Sequence, residues 1–430
     1  MKEIQFDLTY TKNEECVYKK IPFDVPENIE KLEISYEYLR FDENIFPEGI
    51  EKREKNIVDI GLYDEKSDLR GWSGSQRREF FISASESTPG YQSGSIKSGV
   101  WAVALGLYVI ENTVNVRLII KLFPQKCRIL KGDLHIHSVN SDGMCTVSQI
   151  TEMAKRENLD FIALTDHNTL IQNSEIGNSN GISVIAGMEY TNYRGHANFY
   201  FKNPGIQIKS DPLSNSFNEM QAVFAKTKDS GALISLNHIM CDNCPWEFGF
   251  EGFDFDMIEV WNSLMKESDM RAIAFWHKKL LEGKKLAIVS GSDFHRHTLG
   301  AMIGSPCIFV YANSASSEDI LRAISKGNSF IAMTSEGPII DFTINDTIFG
   351  ETIQFSNSLE GRLKILSVRK GDIVKIISDK EESIANVLHN GIYEKVFSIK
   401  QTSFYRIEVY RNLLGRVVIV ALSNPIYISA

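Results

Sequence analysis

The stretch Gly132-Asp133-Leu134-His135-Ile136-His137-Ser138 follows a short apolar run at 128–130. Side chains alternate between the two faces of an extended strand, so His135 and His137 point to the same side. Two imidazoles on one face form a ready chelating pair for a metal ion. This stretch therefore predicts a strand that ends in a metal-binding motif.

Donors of the same kind recur at the ends of the apolar runs that follow. They stand in Thr165-Asp166-His167, Gly187-Met188-Glu189, Leu236-Asn237-His238 and Gly291-Ser292-Asp293-Phe294-His295. His196 opens a further run, and Asp142 follows the first motif in Ser141-Asp142-Gly143. Because a (β/α) barrel carries its active site at the C-terminal ends of its strands, we expect these side chains to converge on one multinuclear metal site.

Three regions of the chain differ in their sequence pattern. Residues 1–128 and 336–430 contain many short β-like runs separated by turn residues, which is typical of all-β, sandwich-like domains. Residues 129–335 alternate apolar runs with amphipathic helices, the first of which opens on the capping box Thr146-x-x-Gln149. This alternation favours a parallel sheet or barrel. The predicted fold class is α/β, a central (β/α) barrel flanked by N-terminal and C-terminal β domains.

The composition limits which cellular setting and which partners can be expected. The 430 residues are 43% hydrophobic and 23% charged, as in an ordinary globular protein, and the net charge of −9 argues against a protein that coats nucleic acid. A nucleotide substrate is neither indicated nor excluded. The start of the chain lacks the apolar core of a signal peptide, and the apolar strip at 100–110 is too short to span a bilayer. We therefore expect a cytoplasmic protein without a membrane partner, and the oligomeric state stays open.

One Cys-x-x-Cys pair, Cys241 and Cys244, is typical of redox chemistry or of half a zinc site. The sequence has no second such pair to complete a structural zinc site, so two loop cysteines after a strand is the simpler interpretation. Walker A and Gly-x-Gly-x-x-Gly motifs do not occur in the sequence, which disfavours a P-loop enzyme and a dinucleotide-dependent oxidoreductase.

The ordered motifs resemble those of a known family. Asp133-Leu-His-Ile-His-Ser, Thr165-Asp-His, Gly187-Met-Glu, Asn237-His and Ser292-Asp-Phe-His are similar to the successive motifs of the polymerase and histidinol phosphatase (PHP) family. The resemblance covers 129–335 and implies a distorted (β/α)7 barrel that holds up to three divalent metals. Upstream, 70–75 (Arg-Gly-Trp-Ser-Gly-Ser), 88–91 (Thr-Pro-Gly-Tyr) and 99–101 (Gly-Val-Trp) resemble the β domain of a subgroup that includes a carbaryl hydrolase.

The family resemblance also implies a set of metal ligands. One metal is expected to be held by His135, His137, Glu189 and Asp293. A second metal is expected to be shared by Glu189, His196 and His238. A third metal is expected to be held by Asp142, His167 and His295.

The donor types indicate the chemistry. Imidazole and carboxylate ligands suit Mn²⁺, Fe²⁺ or Zn²⁺, and the lack of thiolates among them argues against a structural zinc site. Three divalent ions with three carboxylates leave a charge of about +3, which attracts an anion such as a small phosphorylated substrate. We expect a metal-dependent phosphoesterase in which a metal-bridging hydroxide attacks phosphorus in line.

Three residues beside the ligands are candidates for catalytic roles. Asp166 adjoins His167 and is expected to orient a ligand or to shuttle a proton. Arg194, which lies between Glu189 and His196, and Arg296, which follows the last ligand, are candidates for binding substrate phosphate. A structural carboxylate and two solvated loop arginines are the alternatives at these positions.

Two other functions stay open at the level of sequence. The same hydroxide can attack a carbonyl, so a hydrolase of carbamates or carboxylic esters is an alternative, toward which the N-terminal resemblance points. A glycan-binding or partner-binding protein with an inert barrel is a third possibility. It predicts degraded ligand positions, whereas all nine positions carry competent donors.

Overall fold

The computed structural model describes residues 2–26, 29–42, 53–124, 127–178, 181–203, 205, 215–297 and 302–429. The chain divides into two compact units, Met1–Lys126 and Cys127–Ala430. The division between them falls two residues before the boundary predicted after residue 128. The further boundary predicted after residue 335 lies inside the second unit and remains a prediction.

The first unit is built from antiparallel strands. Its strands are β1 Lys2–Thr11, β2 Val17–Val25, β3 Ile29–Tyr38, β4 Asn56–Tyr63, β5 Leu69–Ser73, β6 Glu79–Ser83, β7 Gly99–Ile110 and β8 Thr113–Pro124. One sheet has the order β1-β8-β3-β6 and another the order β2-β7-β4-β5. Alternate side chains are buried, as the period of a strand requires. Residues of both sheets, such as Leu32, Leu118, Val58 and Trp101, join one hydrophobic cluster.

The second unit begins with mixed strands and helices. These elements are β9 Arg128–Asp133, α1 Val147–Arg156, β10 Phe161–Leu164, β11 Ser183–Asn192, β12 Gly195–Phe201, α2 Phe217–Asp229, β13 Leu233–Leu236, β14 Met257–Asn262, α3 Glu267–Leu281, β15 Ala287–Gly291, β16 Cys307–Ala312, α4 Ser317–Ser325 and β17 Ser329–Ala332. The predicted capping box is confirmed, because Gln149 N donates to Thr146 Oγ1 (3.2 Å) and Thr146 N donates to Gln149 Oε1 (2.9 Å). The mixed α/β content of this region is likewise as predicted.

The strands of this region form one sheet with a reversal in the middle. Its order is β15-β14-β13-β12-β11-β10-β9-β16-β17. Strands β9, β10 and β11 are parallel, as are β13, β14 and β15, but β12 is antiparallel to both of its neighbours. The strict alternation of strand and helix is interrupted here because β11 and β12 form a hairpin. The start of β12 therefore lies at the same edge as the end of β11.

The segments that follow β9 and β15 approach each other. An isolated parallel bridge joins Ile136 to Phe294, and His137 N donates to Phe294 O (2.9 Å). This approach requires a glycine, since a Cβ on Gly291 would lie 2.1 Å from the Cβ of His135. Within the described ranges no continuous ladder closes the sheet from β15 to β9 or β16, so the closed (β/α)7 barrel remains a prediction.

The C-terminal part of the chain is all β; some of its strands continue the same sheet and three form a separate one. Its strands are β18 Ile339–Ile344, β19 Thr352–Gln354, β20 Glu360–Val368, β21 Ile373–Ile377, β22 Glu382–Asn386, β23 Gly391–Ser398, β24 Phe404–Leu413, β25 Arg416–Ser423 and β26 Ile426–Ser429. β17 pairs with β25, and the sheet runs on through β24, β21 and β22. Ile340 and Val409 share one hydrophobic cluster with Ile136 and Phe294. In the part of the chain that the structure describes, no helix is long and apolar enough to cross a bilayer.

Candidate metal centre

The segment after β9 places its two histidines in the interior. Asp133, at the end of β9, is fully buried and accepts hydrogen bonds from the backbone N–H groups of Ser292 (3.0 Å), Gly304 (2.8 Å) and His135 (3.2 Å). These bonds tie the end of β9 to the segment after β15. His135 and His137 follow Asp133 with their side chains on one side of the segment, and both are fully buried.

The first group of donors joins these histidines to the residues that follow β15. Asp293 Oδ1 lies 3.1 Å from His137 Nε2 and 3.4 Å from His135 Nε2. The backbone of Asp293 has φ +52°, a left-handed conformation that turns its carboxylate back toward the histidines. One donor atom from each of the three residues lies within 4.8 Å of the others, which is the spacing of ligands around one ion.

Glu189 on β11 links this group to two others. Its Oε1 lies 3.3 Å from His135 Nε2, 3.2 Å from His196 Nδ1 and 3.4 Å from His238 Nε2. Its Oε2 lies 2.9 Å from His167 Nδ1. Glu189, His196 and His238 make up a second group within 4.8 Å. His196 reaches it because β12 starts at the edge where β11 ends.

A third group lies toward the surface. Asp142 Oδ1 is 3.2 Å from His295 Nε2 and 3.7 Å from His167 Nε2, and His137 is within reach of the same group. The Asp142 side chain is 61% exposed, whereas Glu189 is 1% exposed. The structure thus brings the nine predicted ligands into three neighbouring groups, whose members differ from the implied sets in two ways: Glu189 is grouped with His196 and His238 only, and His137 joins the third group as well as the first. Their role as ligands remains a proposal.

The buried donors fit a metal ion on chemical grounds. His135 Nε2 and His137 Nε2 are buried without a hydrogen-bond partner among the described residues. A buried polar atom that lacks a partner is costly, and such an atom calls for an explanation such as a bound ion. Burial alone would raise the pKa of Glu189, but His135, His167 and His196 hold that pKa well below its ordinary value. The carboxylate at the middle of the site is therefore an ionised donor.

Glu259 is a supporting residue that the sequence reasoning missed. It lies on β14 and is 2% exposed. His135 Nδ1 donates to Glu259 Oε1 (3.0 Å), while His238 N (3.0 Å) and Asn262 Nδ2 (3.2 Å) donate to Glu259 Oε2. An acceptor on Nδ1 fixes the imidazole with the lone pair of Nε2 facing the other donors. The signal was present in the sequence, because Glu259 is an acid inside the apolar run Met257–Asn262.

Two asparagines hold the carboxylates of the centre. Asn237 Nδ2 donates to Glu189 Oε1 (2.8 Å), and Asn262 Nδ2 approaches Asp293 Oδ2 (3.4 Å). Both asparagines are buried at the ends of neighbouring strands, β13 and β14. These contacts restrict the carboxylates to orientations that face the histidines.

Asp166 is placed as an anchor for the loop that carries Asp142. It is fully buried and accepts from Ser138 N (2.7 Å), Ser138 Oγ (2.8 Å) and Ser141 Oγ (2.7 Å). Its hydrogen bonds therefore run to the 138–141 segment. The predicted alternatives, orienting a metal ligand directly or moving a proton, remain predictions.

The two candidate arginines differ in their surroundings. Arg194, in the turn between β11 and β12, lies 3.8 Å from Glu247 Oε2 and stacks on the ring of Phe248 at 4.4 Å. These contacts direct its guanidinium to the 247–248 segment. Arg296 is exposed directly after His295. Phosphate binding by either residue remains a prediction.

The family assignment agrees with this geometry. The model of the PHP domain matches residues 133–394, which is more than half of the chain. The chain belongs to the PHP domain family. The match begins at Asp133, where the first histidine motif starts, and it runs past the boundary predicted after residue 335 into the C-terminal β region.

Two curated relatives match parts of the chain. An uncharacterized protein of Methanocaldococcus jannaschii is 26% identical over 161 residues, which cover 34% of this chain and 89% of that protein. A phosphoribosyl 1,2-cyclic phosphate 1,2-diphosphodiesterase of Eggerthella lenta is 38% identical over 64 residues, which cover 14% of this chain and 24% of that protein. The second alignment thus spans only about a quarter of that enzyme.

One solved structure covers a larger part of the chain. A two-domain protein of Bacteroides vulgatus, described as containing a predicted PHP-like metal-dependent phosphoesterase, is 19% identical with a TM-score of 0.42. It covers 69% of this chain and 95% of its own. A Bifidobacterium adolescentis structure described as a metal-dependent phosphoesterase covers 40% of this chain at 16% identity, with a TM-score of 0.32.

Proposed function

We propose that this chain is a metal-dependent phosphoesterase with two or three divalent ions, Mn²⁺, Fe²⁺ or Zn²⁺, at the centre described above. The proposal depends above all on one observation: His135 Nε2 and His137 Nε2, buried and without a hydrogen-bond partner in the described part of the chain, face Glu189 and Asp293 at 3.1–3.5 Å. Membership in the PHP domain family and the partial similarity to a phosphodiesterase support the same reaction class.

Different residues of the chain have different roles at this centre. When bound, the ions would supply a water-derived nucleophile at neutral pH and positive charge for a phosphoryl group. Glu189 would help to hold these ions together with His135 and His238, because its Oε1 faces both imidazoles. Glu259 holds the His135 ring in the orientation that presents Nε2. The residues thus fix the geometry before substrate arrives, which lowers the cost of reorganisation.

The charge of the site favours an anionic substrate when three ions are bound. The carboxylates of Asp142, Glu189 and Asp293, together with the newly found Glu259, bring four negative charges. Two divalent ions would leave the site neutral, whereas three would leave about +2 in a partly buried pocket. A small phosphorylated substrate is the anion proposed here. Arg296, which is exposed beside His295, would bind that anion at the edge of the site.

Turnover by metal-reconstituted protein tests the proposal. Protein stripped with a chelator and reloaded with Mn²⁺, Fe²⁺ or Zn²⁺ is expected to hydrolyse nitrophenyl phosphate or bis-nitrophenyl phosphate and to contain two or three ions per chain. Combined His135→Ala and His137→Ala changes are expected to abolish both the metal content and the turnover. His389→Ala, an exposed histidine outside the centre, is the matched control. Full turnover by the double variant would overturn the mechanism.

The same assay distinguishes the two other functions that the sequence left open. Hydrolysis of a naphthyl carbamate in preference to either phosphoester would favour the carbamate or carboxylic ester hydrolase and the carbaryl hydrolase subgroup. No turnover of any substrate by protein that retains its ions would favour a binding protein with an inert barrel.

A further inference from the structure

A pair of thiols lies next to His238, on the side of its ring that faces away from Glu189. The chain turns after β13, where Cys241 N donates to His238 O (2.8 Å). This turn brings Cys241 Sγ to 3.0 Å from Cys244 Sγ, and Cys244 Sγ to 3.7 Å from His238 Nδ1. The opposite nitrogen of the same ring, His238 Nε2, lies 3.4 Å from Glu189 Oε1. One imidazole therefore joins the thiol pair to the metal centre.

We propose that Cys241 and Cys244 form a redox-active dithiol, which a low-molecular-weight disulfide oxidises, and that its redox state sets how firmly His238 is held. The thiol chemistry stands on the cysteine geometry alone. The effect on His238 as a metal ligand rests on the proposed function.

The separation of the sulfurs favours this role over a metal site. Two thiolates that bind one tetrahedral Zn²⁺ at about 2.3 Å lie about 3.7 Å apart, farther than the 3.0 Å found here. His238, whose ring completes a group of three potential donors with these cysteines, already turns its Nε2 to Glu189. Both cysteines are partly exposed, so a small disulfide can reach them. Cys16 and Cys127 are also free and exposed, and they serve as internal references.

The closeness of the two sulfurs lets one thiol attack and the other resolve. A thiolate is the nucleophile in disulfide exchange. Cys244 Sγ is the atom that faces His238 Nδ1, so we assign Cys241 as the attacking residue and Cys244, whose Sγ lies 3.0 Å away, as the residue that resolves the mixed disulfide.

The reaction balances as two successive exchanges. The Cys241 thiolate attacks one sulfur of a disulfide RSSR, which forms a Cys241–SR bond and releases RS⁻. Cys244 then loses its proton to solvent and attacks Cys241 Sγ, which forms the Cys241–Cys244 bond and releases the second RS⁻. Two electrons pass from the dithiol to the small disulfide, and the released thiolates take up the two protons.

Oxidation would change the partner of His238. A metal-bound imidazole donates its second N–H to an acceptor that orients the ring, and the sulfur of Cys244 is the atom that faces Nδ1. A disulfide bond brings the two sulfurs from 3.0 Å to about 2.05 Å, so Cys244 Sγ has to move relative to His238 Nδ1. Loss of such an outer partner commonly costs a metal site 10–100-fold in affinity. We therefore assign Cys244 as a positioning residue for His238 in the reduced protein.

Thiol trapping tests the redox chemistry on the full chain. After incubation with oxidised glutathione, alkylation and peptide mass spectrometry are expected to show the Cys241–Cys244 disulfide, reversible by dithiothreitol. The Cys244→Ser variant is expected to accumulate glutathione on Cys241, and Cys16 and Cys127 report non-specific oxidation. Equal alkylation of all six cysteines before and after oxidant would overturn the proposal. Protection of both thiols by one equivalent of Zn²⁺ in the reduced protein would overturn it in favour of a metal site.

Metal affinity tests the link to His238. Chelator competition with Mn²⁺ is expected to show about a tenfold weaker class of site after oxidation, with recovery on reduction, and no change on oxidation of Cys241→Ser. Cys244→Asp, which restores a strong acceptor, is expected to keep the reduced affinity under oxidant. Equal affinity of both redox states would overturn the link. If phosphoester turnover is lacking in every state, the proposed function fails while thiol trapping still decides the dithiol.

Discussion

Glu259 shows how a residue can govern the centre without being one of its predicted ligands. Its two oxygens hold the ring of His135 and the backbone of His238, so one buried acid orients two donors. Replacing it by alanine leaves the N–H groups of both residues without their acceptor. Residues that hold a metal ligand in this way commonly have a strong influence on metal affinity.

We predict that Glu259→Ala lowers metal affinity by 10–100-fold, whereas Glu259→Gln, which keeps an acceptor oxygen for His135 Nδ1, costs less. Chelator competition measures both variants against wild type, with circular dichroism to confirm the fold. An affinity equal to wild type in the alanine variant would show that His135 does not depend on this contact.

Among individual residues, the proposed ligands could be predicted from the sequence more readily than the residues that hold those ligands in place. His135 and His137 could be predicted because an i, i+2 spacing on a strand gives a common side. Asp166 could be identified as important, but its hydrogen bonds to Ser138 and Ser141 depend on how the loop folds back. Glu259 lies beside His135 because β14 pairs with β13 and β15, and that pairing cannot be read from the sequence around Glu259.

At the scale of elements, the centre depends on the close approach of β15 to the segment after β9. Gly291 has no side chain, and an added Cβ would lie 2.1 Å from His135 Cβ and 2.9 Å from His135 N. Neither of these atoms is the end of a flexible side chain, so the strands must separate to relieve the contact. The histidines would move with them.

We predict that Gly291→Ala destabilises the protein by about 1–3 kcal/mol and weakens metal binding, since overpacking forces backbone shifts. Urea denaturation and metal content measure the two effects. Gly177→Ala is the matched control, because none of the described residues comes within 4 Å of its added Cβ. Wild-type metal content in Gly291→Ala would contradict this account of the approach.

Helix α3 carries a buried acid near its start. Asp269 is 4% exposed, and burial raises its pKa to about 7 despite hydrogen bonds from the backbone N–H groups of Lys266 and Asn262. Its folded-state pKa thus lies above the unfolded value near 3.8. The folded state binds more protons than the unfolded state between these values, so the contribution of Asp269 to stability falls as pH rises from 4 to 7.

We predict that wild type loses about 3 kcal/mol of stability relative to Asp269→Asn between pH 4 and pH 7. The comparison removes the contributions of other groups, which both proteins share. Urea denaturation at several pH values, with chelator present throughout, measures the difference. A difference that stays constant with pH would show that Asp269 titrates normally.

Element types were more predictable than their directions. The capping box at Thr146 and the strand ends follow from local sequence. The reversal of β12 does not, because a strand that pairs antiparallel in a hairpin has the same apolar run as a parallel one. His196 was nevertheless placed among the ligands by the family resemblance, and the hairpin now gives the physical reason for its position.

At the scale of the whole molecule, the two units have separate cores. The cluster of the first unit includes Leu32 and Trp101, whereas Ile136 and Phe294 belong to a cluster of the second unit. The nine proposed ligands all lie in the second unit. An ion that binds only the folded state stabilises the unit that holds it.

We predict two calorimetric transitions, of which only one shifts on removal of metal. The second unit is expected to melt several degrees lower in chelator, since binding at 1,000 times Kd is worth about 4 kcal/mol. The transition of the first unit is expected to stay in place. Equal shifts of both transitions would show that metal binding is not confined to the second unit.

Anomalous diffraction from crystals of the metal-loaded full chain tests the central claim most directly. Data collected at the absorption edge of the loaded metal are expected to show two or three peaks within bonding distance, about 2.0–2.2 Å, of the nitrogen and oxygen donors around Glu189. The absence of peaks among those donors, in protein that hydrolyses phosphoesters, would contradict the claim that the converging histidines and carboxylates hold the ions of the reaction.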